Sequence, residues 1–194
     1  MSPLLDFPKT IKTPRLVLRV IAATRENAER LFDIIEQNRD YLEAWQGHFE
    51  YIHNADDVLD FLGRRAKQIE DNTGICFYIY RGGEIIGRIR FSVTASSECE
   101  IGYWLVESAT GNGYMAESLG ALESELFKFG FEKIIIDVDA GNMPSENVAR
   151  RAGYVLEKRL PMTSWAKCVG KCDSLIFVKS DSNRKTKPDN QNEK

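Results

Sequence analysis

The residues best placed for chemistry lie in Ile101–Met115, IGYWLVESATGNGYM. An apolar run ends at Val106, a short loop holds Gly111, Asn112 and Gly113, and an amphipathic run starts near Met115. That order predicts a strand, a tight turn and a helix N-terminus. There, backbone N–H groups and the positive end of the helix dipole converge on one small space. Glycine tolerates positive φ and lets the backbone come close to a ligand, so the predicted chemistry is a pyrophosphate cradle. No GxxxxGK(S/T) follows a strand, which excludes a nucleotide P-loop. The dinucleotide fingerprint also fails, because Ala116 stands where a third glycine would be. The implied ligand is a phosphate-bearing cofactor of another kind, although Gly-Asn-Gly also suits any tight strand-to-helix turn.

The other reactive residue types are scattered. Cys76, Cys99, Cys168 and Cys172 read as reduced structural thiols. Cys168 and Cys172 are four apart, which leaves open a disulfide or half of a metal site, but no histidine lies near them in sequence. No metal is expected. His48 and His53 flank an aromatic loop segment and read as surface or loop residues. A chain of 194 residues suits one domain that buries roughly two-thirds of its unfolded surface. A net charge of −3 offers no general attraction to nucleic acid. No apolar run approaches the ~18 residues of a membrane span. Without a signal-peptide pattern, a cytoplasmic location is expected.

The elements that must position the cradle follow from periodicity and punctuation. Residues 1–12 read as irregular, and Arg15–Ile21 as the first strand. Thr24 caps a helix over Arg25–Gln37, with Ala28, Leu31, Ile34 and Ile35 at helical spacing. Asn38–Asn54 reads as a short helical turn and a loop, whose aromatics line an acceptor pocket or pack on the core. A second helix covers Ala55–Asp71. Ile75–Arg81 and Glu84–Ser92 form a hairpin around Gly82-Gly83, and Cys99–Val106 is the next strand. The helix after the glycine turn shows Met115, Leu119, Leu122, Leu126 and Phe129 on one stripe and ends at Gly130. Lys133–Asp139 is a buried strand, Pro144 and Ser145 open a short helix to Ala152, and Tyr154–Leu160 and Ser174–Lys179 close the fold. The result is an α/β fold, a mixed sheet with helices on both faces. Residues 1–180 form the domain, and the polar tail, residues 181–194, is expected to be disordered.

In this order and at these distances, four segments carry a family resemblance: Thr13–Arg19 (TPRLVLR), Ile101–Leu105 (IGYWL), Gly111–Leu119 (GNGYMAESL) and Asn142–Tyr154 (NMPSENVARRAGY). From Thr13 to Lys179 the chain resembles the GNAT acyltransferase superfamily, and within it the Rim-type branch that acetylates the N-termini of ribosomal proteins. The resemblance implies a largely antiparallel twisted sheet splayed between the fourth and fifth strands. It implies acetyl-CoA as the donor, lying in that splay. Backbone groups of Trp104, Leu105 and Val106 would pair with the pantetheine arm, and the amides of Gly111, Asn112, Gly113, Tyr114 and Met115 would hold the pyrophosphate. Asn142 would hydrogen-bond the pantetheine and Ser145 would sit near the sulfur. Arg150 or Arg151 would approach the phosphates or remain solvated helix charges. Trp45 and Tyr103 would line the acceptor site, or belong to the core.

Two positions depart from the family pattern. Ser108 stands where a Gln or Arg often begins the cofactor motif, and Ala149 stands where many members carry a general-acid Tyr. Rim-type relatives use a Ser, matched by Ser145, and a Glu after the following strand. Here that region reads Met162-Thr163-Ser164-Trp165, with no carboxylate. Glu100 is the candidate base, with a plain ion pair as the competing reading. An α-amine of pKa near 8 costs only about 1.4 kcal/mol to deprotonate at pH 7, against roughly 4.6 for a lysine. The expected reaction is direct acetyl transfer to an amine, the N-terminus of a protein or a small amine such as a polyamine or aminoglycoside. A catalytically weak CoA sensor is the rival reading. The chain is expected to be a monomer or a homodimer, with neither nucleic acid nor membrane as a partner.

Overall fold

Three of the α-helices begin where a side chain accepts from an orphan backbone N–H. In the computed structural model, which describes residues 3–181, Thr24 accepts from the Asn27 N–H and opens α1 (Arg25–Gln37). A short α2 (Arg39–Glu43) follows. Asn54 and Asp57 form a reciprocal capping box at the start of α3 (Ala55–Glu70). Gly113 and Gly130, both left-handed, bracket α4 (Tyr114–Phe129). Asn142 caps α5 (Met143–Arg151).

Eight strands form one sheet, one more than the sequence suggests. They are β1 (Thr10–Lys12), β2 (Val17–Arg19), β3 (Gly74–Arg81), β4 (Glu84–Ala95), β5 (Glu98–Leu105), β6 (Lys133–Asp139), β7 (Val155–Ala166) and β8 (Gly170–Ser180), in the spatial order β1-β2-β3-β4-β5-β6-β8-β7. Among the described strands, only β5 and β6 pair in parallel, and their pairing stops at Glu100 opposite Ile135. From there the two strands diverge, which is the splay between the fourth and fifth strands of the sequence reading.

Period-two alternation divides the sheet into two faces. Cys76, Tyr78, Arg88, Arg90, Glu100, Gly102 and Trp104 share one face by register, under α1–α3. Phe49 meets Trp104 edge-on, and Arg88 lies over the Phe61 ring of α3. Phe77 and Phe91 share the opposite face, where Phe7 packs against both and against Phe129 of α4 at 5.1–6.3 Å between centroids. α4 therefore covers that second face.

The largest differences from the sequence reading fall in three places. The first described residues are not irregular, since Leu4–Asp6 make a 3-10 turn, β1 follows, and Leu4, Phe7 and Ile11 are buried. Strands of three residues are too short to reveal alternation. The turn is held by the Lys9 ammonium, which donates to the carbonyls of Leu4, Leu5 and Phe7. The first expected strand shrinks to Val17–Arg19. The last two lengthen into a hairpin, hidden in sequence because the outer strand β7 is solvent-exposed, polar in places and carries Pro161, which an edge strand tolerates. Ser180 belongs to β8, and the Asp181 N–H still donates to the Glu132 carbonyl. The rest of the expected tail, residues 182–194, lies outside the described residues.

Phe7→Ala removes the ring that joins β3, β4 and α4. It is expected to destabilise the fold by about 3–5 kcal/mol in urea unfolding, whereas an irregular N-terminus would make the same change nearly neutral.

Candidate active site

The glycine loop adopts the predicted shape. Gly111 and Gly113 both have φ of 76°, and no side chain caps α4 at Gly113. The first-turn amides of α4 are therefore left for an anion. Distant residues brace this turn. Glu117 accepts from the Thr13 hydroxyl at 2.6 Å, the Arg15 N–H at 3.0 Å and Arg15 Nε at 2.6 Å. Arg15 also donates to the Asn112 carbonyl, and the guanidiniums of Arg15 and Arg81 lie 4.8 and 5.1 Å from the Tyr114 ring centre. Two cations thus stand beside the cradle although Ser108 supplies none. Burial would raise the Glu117 carboxyl, but hydrogen bonds from Thr13 and Arg15 hold it below the usual range.

A cavity of about 1010 Å³ runs from this cradle through the splay. Its wall on β5 has a defined polarity. The Val106 N–H donates to the Ile86 carbonyl while its own carbonyl accepts from the Ala109 N–H, so alternation turns the backbone groups of Trp104 and the N–H of Val106 toward β4 and the backbone groups of Tyr103 and Leu105 toward the gap. The Gln46 amide donates to the Tyr103 carbonyl at 2.9 Å. Among the three strand positions expected to face the gap with their backbones, only Leu105 does so, and Tyr103 joins it.

Tyr103 and Ser145 meet across the cavity, hydroxyl to hydroxyl, at 3.0 Å. Burial pushes the Tyr103 phenol up to about 12, against a small opposing effect of Ser145, so it is a proton donor at neutral pH. The Asn142 side-chain oxygen accepts from the Ser145 N–H and so fixes the first turn of α5. Trp45, in the turn after α2, lines the cavity, its ring 3.7 Å from the position a Cβ on Gly141 would take.

The two walls on the α1–α3 side have opposite charge. Register places Asp137 and Asp139 of β6 on the face of Glu100, and all three line the cavity. The Asp139 carboxylate accepts from the Ser164 hydroxyl, and Asp137 accepts from the Ser174 hydroxyl. Burial raises the Asp139 carboxyl, Ser164 opposes this, and the charge of Asp137 adds to it. Ser164 lies in the segment that has no carboxylate in sequence. A carboxylate therefore does reach that region, from β6. The signal was present in KIIIDVD, where Asp137 and Asp139 alternate on an otherwise apolar strand. Glu100 has Arg90 at 3.5 Å, so the competing ion-pair reading also holds geometrically.

Other candidates lie elsewhere. Arg150 turns to Glu146 at 3.5 Å and to the Phe177 ring, away from the cradle, while Arg151 lines the cavity. The four cysteines are free thiols, and no metal-binding group of His, Cys, Asp and Glu occurs among the described residues. His48, read as a surface or loop residue, lines the cavity.

Three comparisons bear on this geometry. The domain model described as an acetyltransferase (GNAT) domain matches residues 15–155. A ribosomal-protein-serine acetyltransferase of Escherichia coli (strain K12) is 26% identical over 143 residues, 72% of this chain and 80% of that protein. A putative ribosomal N-acetyltransferase of Bacillus subtilis (strain 168) is 26% identical over 136 residues, 68% of this chain and 74% of that protein. Among solved structures, a ribosomal L7/L12 alpha-N-protein acetyltransferase in complex with coenzyme A superposes with a TM-score of 0.82 at 22% identity, covering 88% of this chain and 97% of that one. A microcin C7 self-immunity acetyltransferase in complex with acetyl-CoA and AMP also reaches 0.82 at 22% identity, covering 90% and 97%. At these identities the superpositions establish the shared fold.

The depressed Glu117 carboxyl makes a signed prediction. Its contribution to stability is present above its unfolded pKa and is lost as pH falls through the lower folded value. Glu117→Gln should therefore be less stable than the parent near pH 7 in urea titrations, and the gap should close in acid.

Proposed function

The chain belongs to the acetyltransferase (GNAT) family, and from that premise we propose that it acetylates the N-terminal α-amine of a protein, a ribosomal protein in keeping with its relatives. Acetyl-CoA is the donor. The observation that supports this reading is the gap itself. β5 and β6 part after Glu100 and Ile135, with an anion cradle at one end and three carboxylates on the other side.

In this reading the amides of Gly111 to Met115 hold the pyrophosphate. Arg15 and Arg81 add the charge that Ser108 lacks. The splay-facing backbone of Tyr103 and Leu105 receives the pantetheine arm, alongside Asn142. The acceptor attacks as a neutral amine, and Asp139 or Glu100 takes its proton through water. The Leu105 N–H steadies the oxyanion. Ser145 gives its proton to the departing thiolate, and Tyr103 replenishes it across their hydrogen bond. The α-amine suits this site because its deprotonation needs only about 1.4 kcal/mol at pH 7. A polyamine suits it less, because Arg65, Arg88 and Arg90 line the acceptor side. No helix among the described residues is long and apolar enough to cross a membrane, and a cytoplasmic setting fits a ribosomal acceptor.

Release of CoA thiol across an acceptor panel tests the proposal. A peptide with a free N-terminal Ser should react, while its N-blocked counterpart with an internal Lys, spermidine and an aminoglycoside should not. Turnover with a small amine alone would reassign the acceptor. Ser145→Ala should lower kcat by about a hundredfold. Tyr103→Phe should have a smaller effect, and the double variant should match Ser145→Ala, since both act through one proton path.

A further inference from the structure

Arg88 is an anomaly. It projects from β4, is 5% exposed, lines the cavity, and its Nε has no hydrogen-bond partner. A buried guanidinium without an anion is costly, and proteins tolerate it where a ligand supplies the missing charge. Two more arginines share the wall. Arg65 of α3 and Arg88 lie 4.5 and 5.2 Å from the centre of the same Phe61 ring. The Arg65 Nε is likewise buried without a partner. Arg90 stands two residues along β4, donating to the Ser92 hydroxyl at 2.8 Å.

The neighbouring groups do not neutralise them. Cys76 and Tyr78 of β3 pair in register with Arg90 and Arg88. Burial raises both of their acid groups, so they remain uncharged. His48, which lines the cavity with them beside Phe61 and Arg88, is pushed down to about 3, chiefly by burial and then by Arg88, Arg90 and Arg65. Its ring is a neutral partner at physiological pH. Among the described residues, Glu100 is the only carboxylate paired with the group, and it reaches Arg90 alone. Three guanidiniums thus face one carboxylate, on the wall opposite Asp137 and Asp139.

We propose that Arg65, Arg88 and Arg90 form an anion subsite, and that the acceptor carries a carboxylate or phosphate on the same body as its reactive amine. This rests on the reading of the cavity as the acceptor site. The amine faces the carboxylates of β5 and β6 while the anion settles among the guanidiniums, which orients the nucleophile toward the splay. In a protein acceptor the anion is an acidic side chain close to the N-terminus. In a small acceptor it is a carboxylate or phosphate near the amine. Planar guanidinium forks suit both groups.

The test has two arms. In the first, the enzyme alone is titrated with inorganic phosphate and with acetate while the His48 ring is followed by NMR. Anion binding should shift the His48 resonances and raise its pKa, and Arg65→Gln should weaken the response. No response in the folded wild-type enzyme would overturn the subsite, whether or not any acceptor is turned over. In the second arm, kcat/KM is compared for free-N-terminus Ser-Asp and Ser-Asn peptides, and for O-phosphoethanolamine and ethanolamine. The anionic member should be favoured by about tenfold or more, and which pair reacts identifies the source of the anion. Arg65→Gln should reduce kcat/KM for the anionic member several-fold more than for the neutral one. Equal rates for charged and neutral partners, or selectivity retained in Arg65→Gln, would overturn the proposal. Arg65 is only partly buried on α3, so this variant keeps the test valid if Arg88→Met fails to fold. If anions bind but no acceptor reacts, the subsite stands and the proposed acetyl transfer fails.

Discussion

Every functional feature depends on where β5 stops pairing with β6. A backbone strand carries an obligatory row of donors and acceptors, and leaving them unpaired is unfavourable unless a ligand or water meets them. β5 satisfies one edge along β4 throughout its length, but its other edge is paired with β6 only from Glu98 to Glu100. Past that point the Tyr103 and Leu105 backbone groups face a gap. The parallel direction of this pair matters as well, because it sends the chain from the end of β5 through a whole helix before β6 begins. That helix is α4, so its uncapped N-terminus lies directly beyond the open end of β5.

The same divergence makes the cavity two-sided. On the α4 face it meets the cradle and the hydroxyl pair of Tyr103 and Ser145. On the α1–α3 face it meets an acidic wall from β5 and β6 and a basic wall from β4 and α3. Alternation along β5 assigns neighbouring residues to different tasks, Glu100 and Trp104 to one face and Tyr103 to the other. A donor can thus approach from one side of the sheet and a nucleophile from the opposite side, meeting only at the gap.

Long-range ties keep this opening in place. Arg15 and Glu117 link the N-terminal hairpin to the first turn of α4, and Lys167 with Glu43 links the β7–β8 hairpin to α2 at 2.6 Å. The Cys168 N–H donates to the Ala44 carbonyl beside that ion pair. These contacts brace the edges of the cavity without filling it. The aromatic cluster around Phe7 anchors the closed half of the sheet against α4, so the open half has a rigid frame.

What the sequence by itself determined is the set of features governed by nearest neighbours. Thr24, Asn54, the Gly82-Gly83 turn, Gly113 and Gly130 act within a few residues of themselves, through caps and permitted φ values, so the main helices and the central hairpin were legible with small errors at their ends. The cradle was legible for the same reason. Only the tertiary structure decided which charges meet. Asp139 reaches Ser164, and Arg65 and Arg88 share the Phe61 ring, because register and helix packing bring together segments far apart in the chain. The short N-terminal strand and the far half of the exposed edge strand β7 also escaped a periodicity reading, since one is too brief to alternate and the other lies almost wholly in solvent. Backbone chemistry is local and can be read along the chain, whereas the polarity of a cavity is a sum over distant side chains and exists only once the sheet has formed.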